Sequence, residues 1–81
     1  MQPPALLLGL GYPVAAAVVT RFVPVVREGR WRWLAAHHAG MAAIVAGWAL
    51  RGEPVPAALN ASWLATSSVW YLVGRRRPAA T

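Results

Sequence analysis

Residues 33–50 read WLAAHHAGMAAIVAGWAL and contain no Asp, Glu, Lys or Arg. At 1.5 Å per residue, a helix of this length extends about 27 Å, close to the roughly 30 Å hydrocarbon core of a bilayer. Two further apolar blocks flank it: residues 5–26, with one charge at Arg21, and residues 57–74, with none. In lipid the backbone must satisfy its own hydrogen bonds, so each block is predicted to be a transmembrane helix.

The composition of the chain agrees with this interpretation. The 81 residues are 58% hydrophobic and 12% charged, whereas soluble domains average about 25% charged residues. The chain has no Cys and only two His, which argues against a disulfide-rich secreted domain and a CxxC-type zinc site. We therefore predict one all-α integral membrane domain over residues 1–81, with three transmembrane helices and a basic C-terminal tail at 75–81.

Proline and glycine mark the ends of the apolar blocks. The break at 27–30 (REGR) precedes the second block, and Gly52 and Pro54 precede the third. Pro13 lies inside the first block, where it removes one backbone hydrogen bond, so the first helix is predicted to be kinked. A cleaved signal peptide is the alternative for this block, but Met1–Pro4 carries no basic residue and the apolar run is too long.

The arginines predict the orientation of the chain. The net charge of +6 comes from eight Arg and two Glu, and the Arg residues cluster between apolar blocks, which favours membrane flanks over a nucleic-acid surface. Loop one and the tail are basic, while Arg51 and Glu53 cancel in loop two. Positive loops stay inside, so the N-terminus is predicted to be out and the C-terminus in. The residues assigned to the inner headgroup boundary are Arg21, Arg27, Arg30, Arg32, Arg75, Arg76, Arg77, Trp31, Trp33 and Trp70.

Small residues recur at helical spacing in the second and third blocks. They let helix backbones approach closely, which promotes helix association in lipid; with 17 alanines in the chain, composition alone also produces such spacings. The predicted partners are membrane lipids and other transmembrane helices, with no nucleic acid. The predicted packing residues are Ala35, Ala39, Gly40, Ala43, Gly47, Ala61 and Ala65.

His37 and His38 are the candidate cofactor-binding residues. Together with Arg21, Ser67, Ser68 and Tyr71 they are predicted to lie within about 11 Å of the inner boundary by helix rise. A neutral imidazole can bond Ser or Tyr, or contact a haem, a chlorin or a lipid, although the sequence requires no cofactor and predicts no metal site. Alternatively, Arg21 snorkels to the headgroups and both imidazoles lie in the interface. Adjacent helical residues point about 100° apart, so at most one His is expected to face a given partner.

The residues argue against catalysis. There is no Asp or Cys, both Glu lie in loops, and no Gly-rich phosphate loop is present, so an enzyme is not predicted. Exclusive use of Arg over Lys and the high alanine content suggest a GC-rich bacterial or phage genome. We expect a multi-pass protein of the bacterial cytoplasmic membrane.

Two functions remain open at this point. The first is an accessory or structural subunit that packs within a larger respiratory, photosynthetic or transport complex of the membrane. The second follows from topology: three spans with an external N-terminus and a short basic tail at Arg75–Arg77 resemble the three-span class of phage holins. That resemblance implies a pore-forming protein that self-associates in the cytoplasmic membrane.

Overall fold

A computed structural model describes residues 2–76, and all its regular structure is helical. The four helices are α1 (Pro3–Val19), α2 (Phe22–Arg27), α3 (Trp31–Leu50) and α4 (Pro54–Arg76). No strand occurs among the described residues, so the predicted all-α class is confirmed for this part of the chain.

The helix boundaries differ from the predicted ones in the third block. α4 begins at Pro54 rather than near residue 57, because the first backbone N–H groups of a helix need no intrahelical acceptor and proline fits there. It also continues to Arg76, so the predicted tail at 75–81 begins inside a helix. Residues 77–81, with Arg77, lie outside the described part of the chain.

The first apolar block forms two helices, not the single helix that the sequence suggested, and the kink at Pro13 stays a prediction. α1 continues through Pro13, and the interruption falls at Thr20–Arg21, where Arg21 has φ −121° and ψ 22°. Pro24 explains this position, because it has no N–H for the Thr20 carbonyl and its ring would collide with that carbonyl in a continuous helix. The Thr20 hydroxyl instead donates to the carbonyl of Ala17 at 2.9 Å.

Both tight turns use glycine in the left-handed region. Gly29 has φ 61° and Gly52 has φ 73°. After α3, the amide of Gly52 donates to Ala49 and that of Glu53 to Trp48, each at 3.0 Å. This Schellman arrangement satisfies the last carbonyls of the helix and reverses the chain. The turn after α2 repeats the pattern through Gly29.

α1 and α3 pack antiparallel with their backbones in contact. A Cβ atom at Gly11 would lie 2.6 Å from the carbonyl oxygen of Gly40, and one at Gly40 would lie 3.0 Å from that of Gly11. Towards the α3–α4 turn, a Cβ at Gly47 would lie 2.8 Å from Leu8 Cγ. Only glycine permits this approach, and the resulting helix pair is the most extensive contact in the fold.

α4 also packs on α3, and α2 contacts α4 at the end of the bundle that holds the α2–α3 turn. Val26 on α2 lies against Gly74 so closely that a Cβ there would collide with it. One apolar cluster at this end comprises Val18, Phe22, Val25, Val26 and Tyr71. A second, nearer the middle, comprises Ala15, Met41 and Ile44. The bundle is elongated, measuring 49 × 20 × 15 Å.

Among the described helices, only α3 is both long and apolar enough to cross a bilayer. It has 20 residues and a mean hydropathy of 1.2 over its most apolar window. α1 is apolar but has 17 residues. α4 is longer, but Asn60, Ser62 and Ser67–Ser68 add polar side chains to its span.

Candidate functional site

The polar side chains of the bundle are concentrated where α3 meets α4. His37 and Ser67 are each 0% exposed and are the buried polar residues of the described chain. His37 belongs to the face of α3 that also buries Met41 and Ile44. The Ser67 hydroxyl donates to the Leu64 carbonyl of its own helix at 3.1 Å. Of the two buried polar residues, His37 is therefore the one that bonds to another helix.

A hydrogen-bond chain runs through His37 from one point of α4 to another. The indole nitrogen of Trp63 donates to His37 Nε2 at 3.0 Å. The Nδ1 atoms of His37 and His38 lie 3.0 Å apart, and His38 Nε2 lies 2.7 Å from Ser68 Oγ. The prediction that at most one histidine faces a given partner is therefore wrong: both rings bond α4, because their mutual hydrogen bond holds them on the same side of α3.

The hydrogen bonds of this network can all be assigned a donor and an acceptor. An indole N–H can only donate, so His37 Nε2 accepts and carries no proton. The His37 proton then lies on Nδ1 and is donated to His38 Nδ1, which places the His38 proton on Nε2, facing Ser68. The Ser68 hydroxyl donates onward to the Leu64 carbonyl at 2.8 Å. Both imidazoles are neutral in this assignment, and no buried side-chain N or O among the described residues lacks a partner.

This network bears on the predicted cofactor contact. A haem iron or metal requires a ring nitrogen with a free lone pair, and in the structure the unprotonated nitrogens of both histidines already accept hydrogen bonds. Iron at His37 would displace the Trp63 indole. Within residues 2–76, no three His, Cys, Asp or Glu gather as metal ligands. The geometry fits a clamp between helices, and a cofactor at His37 or His38 stays a prediction.

Aromatic rings surround the buried end of the network. Phe22 lies 5.2 Å from His37, 5.8 Å from Trp63 and 4.9 Å from Trp70, between ring centroids. Tilted aromatic contacts of this kind add stabilisation beyond the area that they bury. Phe22 reaches this position because the break at Thr20–Arg21 redirects α2 towards α4.

An apolar groove opens beside the network, between α1 and α4. Both helices pack on α3 but scarcely contact each other. The groove has a volume of about 250 Å³. Its floor is formed by α3 and its polar groups are few. The lining residues include Tyr12, Val19, His37, Met41, Asn60 and Trp63.

Most of the predicted inner-boundary residues lie around the α2–α3 turn, whereas Trp70, Arg75 and Arg76 belong to α4. The Arg21 guanidinium lies 5.9 Å from the centre of the Trp33 ring, so the structure separates it from the histidines with which the sequence grouped it. Arg32 lies 5.4 Å from the Trp31 ring. The other predicted boundary residues of the described chain are exposed as well: Arg27, Arg30, Trp31, Trp33 and Trp70. Helix α4 extends through Arg75 and Arg76.

The predicted packing residues divide into two groups. Gly40 and Gly47 are buried against α1, and Ala43 is half-buried. The other alanines are exposed on the surface of the single chain, so a role for them in binding other helices stays a prediction. These are Ala35, Ala39, Ala61 and Ala65.

The structure adds residues that the sequence analysis did not assign to a site. Gly11 forms the other half of the α1–α3 contact, and its signal is the run of small or apolar residues at Leu8, Gly11, Ala15 and Val18, spaced by three and four. Trp63 is the second of these residues. Its indole N–H, which needs an acceptor when buried, was the available signal for a bond to His37.

Comparisons of the chain with protein-family models, with curated proteins and with solved structures give no match.

Proposed function

We propose that this chain is a small three-span protein of the bacterial cytoplasmic membrane that works, without catalysis, by packing its helices within a larger membrane assembly. The observation that carries the proposal is the exposure of large apolar side chains on the helices. Leu10, Val55 and Leu59 are 68%, 67% and 67% exposed, while His37 and Ser67 are fully buried. Val55 and Leu59 lie one turn apart on the same face of α4, and exposed apolar side chains that lie together favour lipid or protein surroundings.

The polar side chains on the helices support the same surroundings. Ser62 is exposed, yet its hydroxyl donates to the Ala58 carbonyl at 2.9 Å, and the Asn60 amide donates to Pro56 at 2.7 Å. Bonding to the same helix removes the need for water. α3 supports it as well, because 28% of its apolar window is buried within the chain, whereas the core helix of a soluble bundle is mostly buried.

The exposed face of α3 supports contact with another helix. It consists of alanines at alternating spacings of four and three: Ala35, Ala39, Ala42, Ala46 and Ala49, all exposed. This is the spacing of a helix–helix seam, and small side chains permit close approach in lipid. α1 and α4 leave this face uncovered, so a helix of another subunit is the proposed occupant.

Site-specific photo-crosslinking in the native host tests this proposal. A photoreactive residue at Ala42 should crosslink to one defined membrane protein, which should also co-purify with the chain in fixed stoichiometry. The same residue at Leu59 is the matched control, because that position is also exposed but belongs to α4. We expect lipid adducts there and no protein band.

Two results would contradict the subunit function. A ladder at multiples of 8.7 kDa from Ala42, with collapse of the membrane potential at a set time after induction, would favour the holin-like alternative. Absence of any protein crosslink at Ala42 in the native host would show that no partner packs on α3.

A further inference from the structure

A second groove lies between α1 and α3 and contains charge at one end only. Its volume is about 430 Å³, and its walls are Val14, Ala17 and Val18 from α1 with Trp33 and Ala36 from α3. Arg32 is its charged lining residue. Along α1 the apolar wall from Val14 to Val18 extends about 6 Å by helix rise.

Within residues 2–76, the guanidinium groups of Arg21 and Arg32 have no carboxylate partner. Arg21 stacks over Trp33, the ring that lines the groove, at 5.9 Å, and Arg32 stacks over Trp31 at 5.4 Å. The chain has two acidic side chains. Glu28 is bound by Arg30 through contacts of 2.9 and 2.6 Å, and Glu53 lies in the other turn.

We propose that this groove is a binding site for an anionic phospholipid of the inner leaflet, an inference that rests on the membrane placement proposed above. Arg21 and Arg32 bind the phosphate, whose geometry matches the guanidinium fork, and an acyl chain lies along Val14, Val18 and Ala36. A headgroup with net negative charge is favoured, because a zwitterionic lipid brings its own cation to a site that already holds two.

A free phosphate or an acidic peptide fits the groove less well. Free phosphate leaves the apolar walls uncovered. A peptide would bring backbone N–H and C=O groups into a groove whose walls are apolar apart from the guanidinium groups at one end, where unsatisfied groups are costly. A phospholipid combines one anionic group with an apolar chain in the order that the groove presents. Basic pockets on the cytoplasmic side of membrane helices bind anionic headgroups in the same way.

Native mass spectrometry of the detergent-solubilised full chain tests the site with two probes, phosphatidylglycerol and phosphatidylcholine. We expect phosphatidylglycerol adducts to be retained about tenfold better than phosphatidylcholine adducts. The double variant Arg21→Gln/Arg32→Gln should lose most of this preference. The matched control, Arg27→Gln/Arg51→Gln, removes the same charge away from the groove and should keep it.

A second variant separates the groove from the charges. Ala36→Phe fills the apolar groove and leaves both guanidinium groups in place, so retention of phosphatidylglycerol should fall. Soluble glycerol phosphate, which has no acyl chain, should compete only weakly with phosphatidylglycerol for the wild-type chain and for this variant. If both double variants lose the preference for phosphatidylglycerol equally, the effect is one of general charge and the site is overturned. Equal retention of the two lipids by the wild-type chain would also overturn it. Failure of the chain to fractionate with membranes would instead contradict the proposed function.

Discussion

At the scale of single residues, the clamp between α3 and α4 depends on a donor that cannot reverse. Imidazole and hydroxyl groups can each donate or accept, whereas the Trp63 indole can only donate. It therefore determines which nitrogen of His37, and then of His38, carries the proton. The network therefore links α3 to α4 through a fixed order of donors and acceptors.

Replacing Trp63 tests this assignment. Trp63→Phe keeps a ring against Phe22 but removes the donor to His37 Nε2, a fully buried atom, and an unsatisfied buried group costs about 1–3 kcal/mol. We expect a lower thermal unfolding midpoint in detergent. Nitrogen-15 spectra of histidine-labelled wild-type protein should show His37 protonated on Nδ1 and His38 on Nε2.

Ser68→Ala is the matched control for the histidine spectra. It removes the acceptor at the far end of the chain, on a half-buried group, so the His37 tautomer should persist and the stability loss should be smaller than for Trp63→Phe. A wild-type spectrum with the His37 proton on Nε2 would contradict the assigned order of donors and acceptors in the hydrogen-bond network.

At the scale of helices, glycine position decides which pair packs closely. Gly9 and Gly11 lie two residues apart on α1, yet a Cβ at Gly9 would meet nothing within 4 Å, while one at Gly11 would lie 2.6 Å from the Gly40 carbonyl oxygen. Gly11→Ala should therefore destabilise the bundle by about 1–3 kcal/mol through overpacking. Gly9→Ala should be neutral or stabilise it by up to about 1 kcal/mol, because alanine favours the helix.

Thermal unfolding of the two alanine variants in the same detergent measures this difference. Both substitutions add one methyl group to the same helix, so their difference reports the contact with α3 and not helix propensity. Equal midpoints for Gly9→Ala and Gly11→Ala would show that the α1–α3 backbones do not touch.

The helices were predictable from the sequence to a greater degree than their contacts. Hydropathy placed α3 within two residues of its start, because a long uncharged run has one obvious structure in lipid. The break at Thr20–Arg21 was missed because Pro13 and Pro24 have the same local chemistry, and only packing of α2 on α4 selects between them. The bonds of His37 and His38 depend on the register of α3 against α4, which the Gly52 turn sets and no local pattern reveals.

At the scale of the whole molecule, a basic turn and an electrically neutral turn lie at opposite ends of a 49 Å bundle. The α2–α3 turn holds Arg27, Arg30 and Arg32 against Glu28, while the α3–α4 turn holds Arg51 against Glu53. Basic loops are retained on the cytoplasmic side. This asymmetry supports the proposed orientation, with the α2–α3 turn inside and the α3–α4 turn outside.

Single introduced cysteines test the orientation, because the chain has none of its own. Glu28→Cys and Glu53→Cys are a matched pair: each replaces an exposed glutamate in a turn, and losing the Glu28–Arg30 ion pair costs at most about 1 kcal/mol at a surface. In intact spheroplasts, a membrane-impermeant maleimide should label Glu53→Cys at once and Glu28→Cys only after permeabilisation. The reverse pattern would invert the topology, and labelling of both thiols in intact spheroplasts would mean that α3 does not cross the membrane.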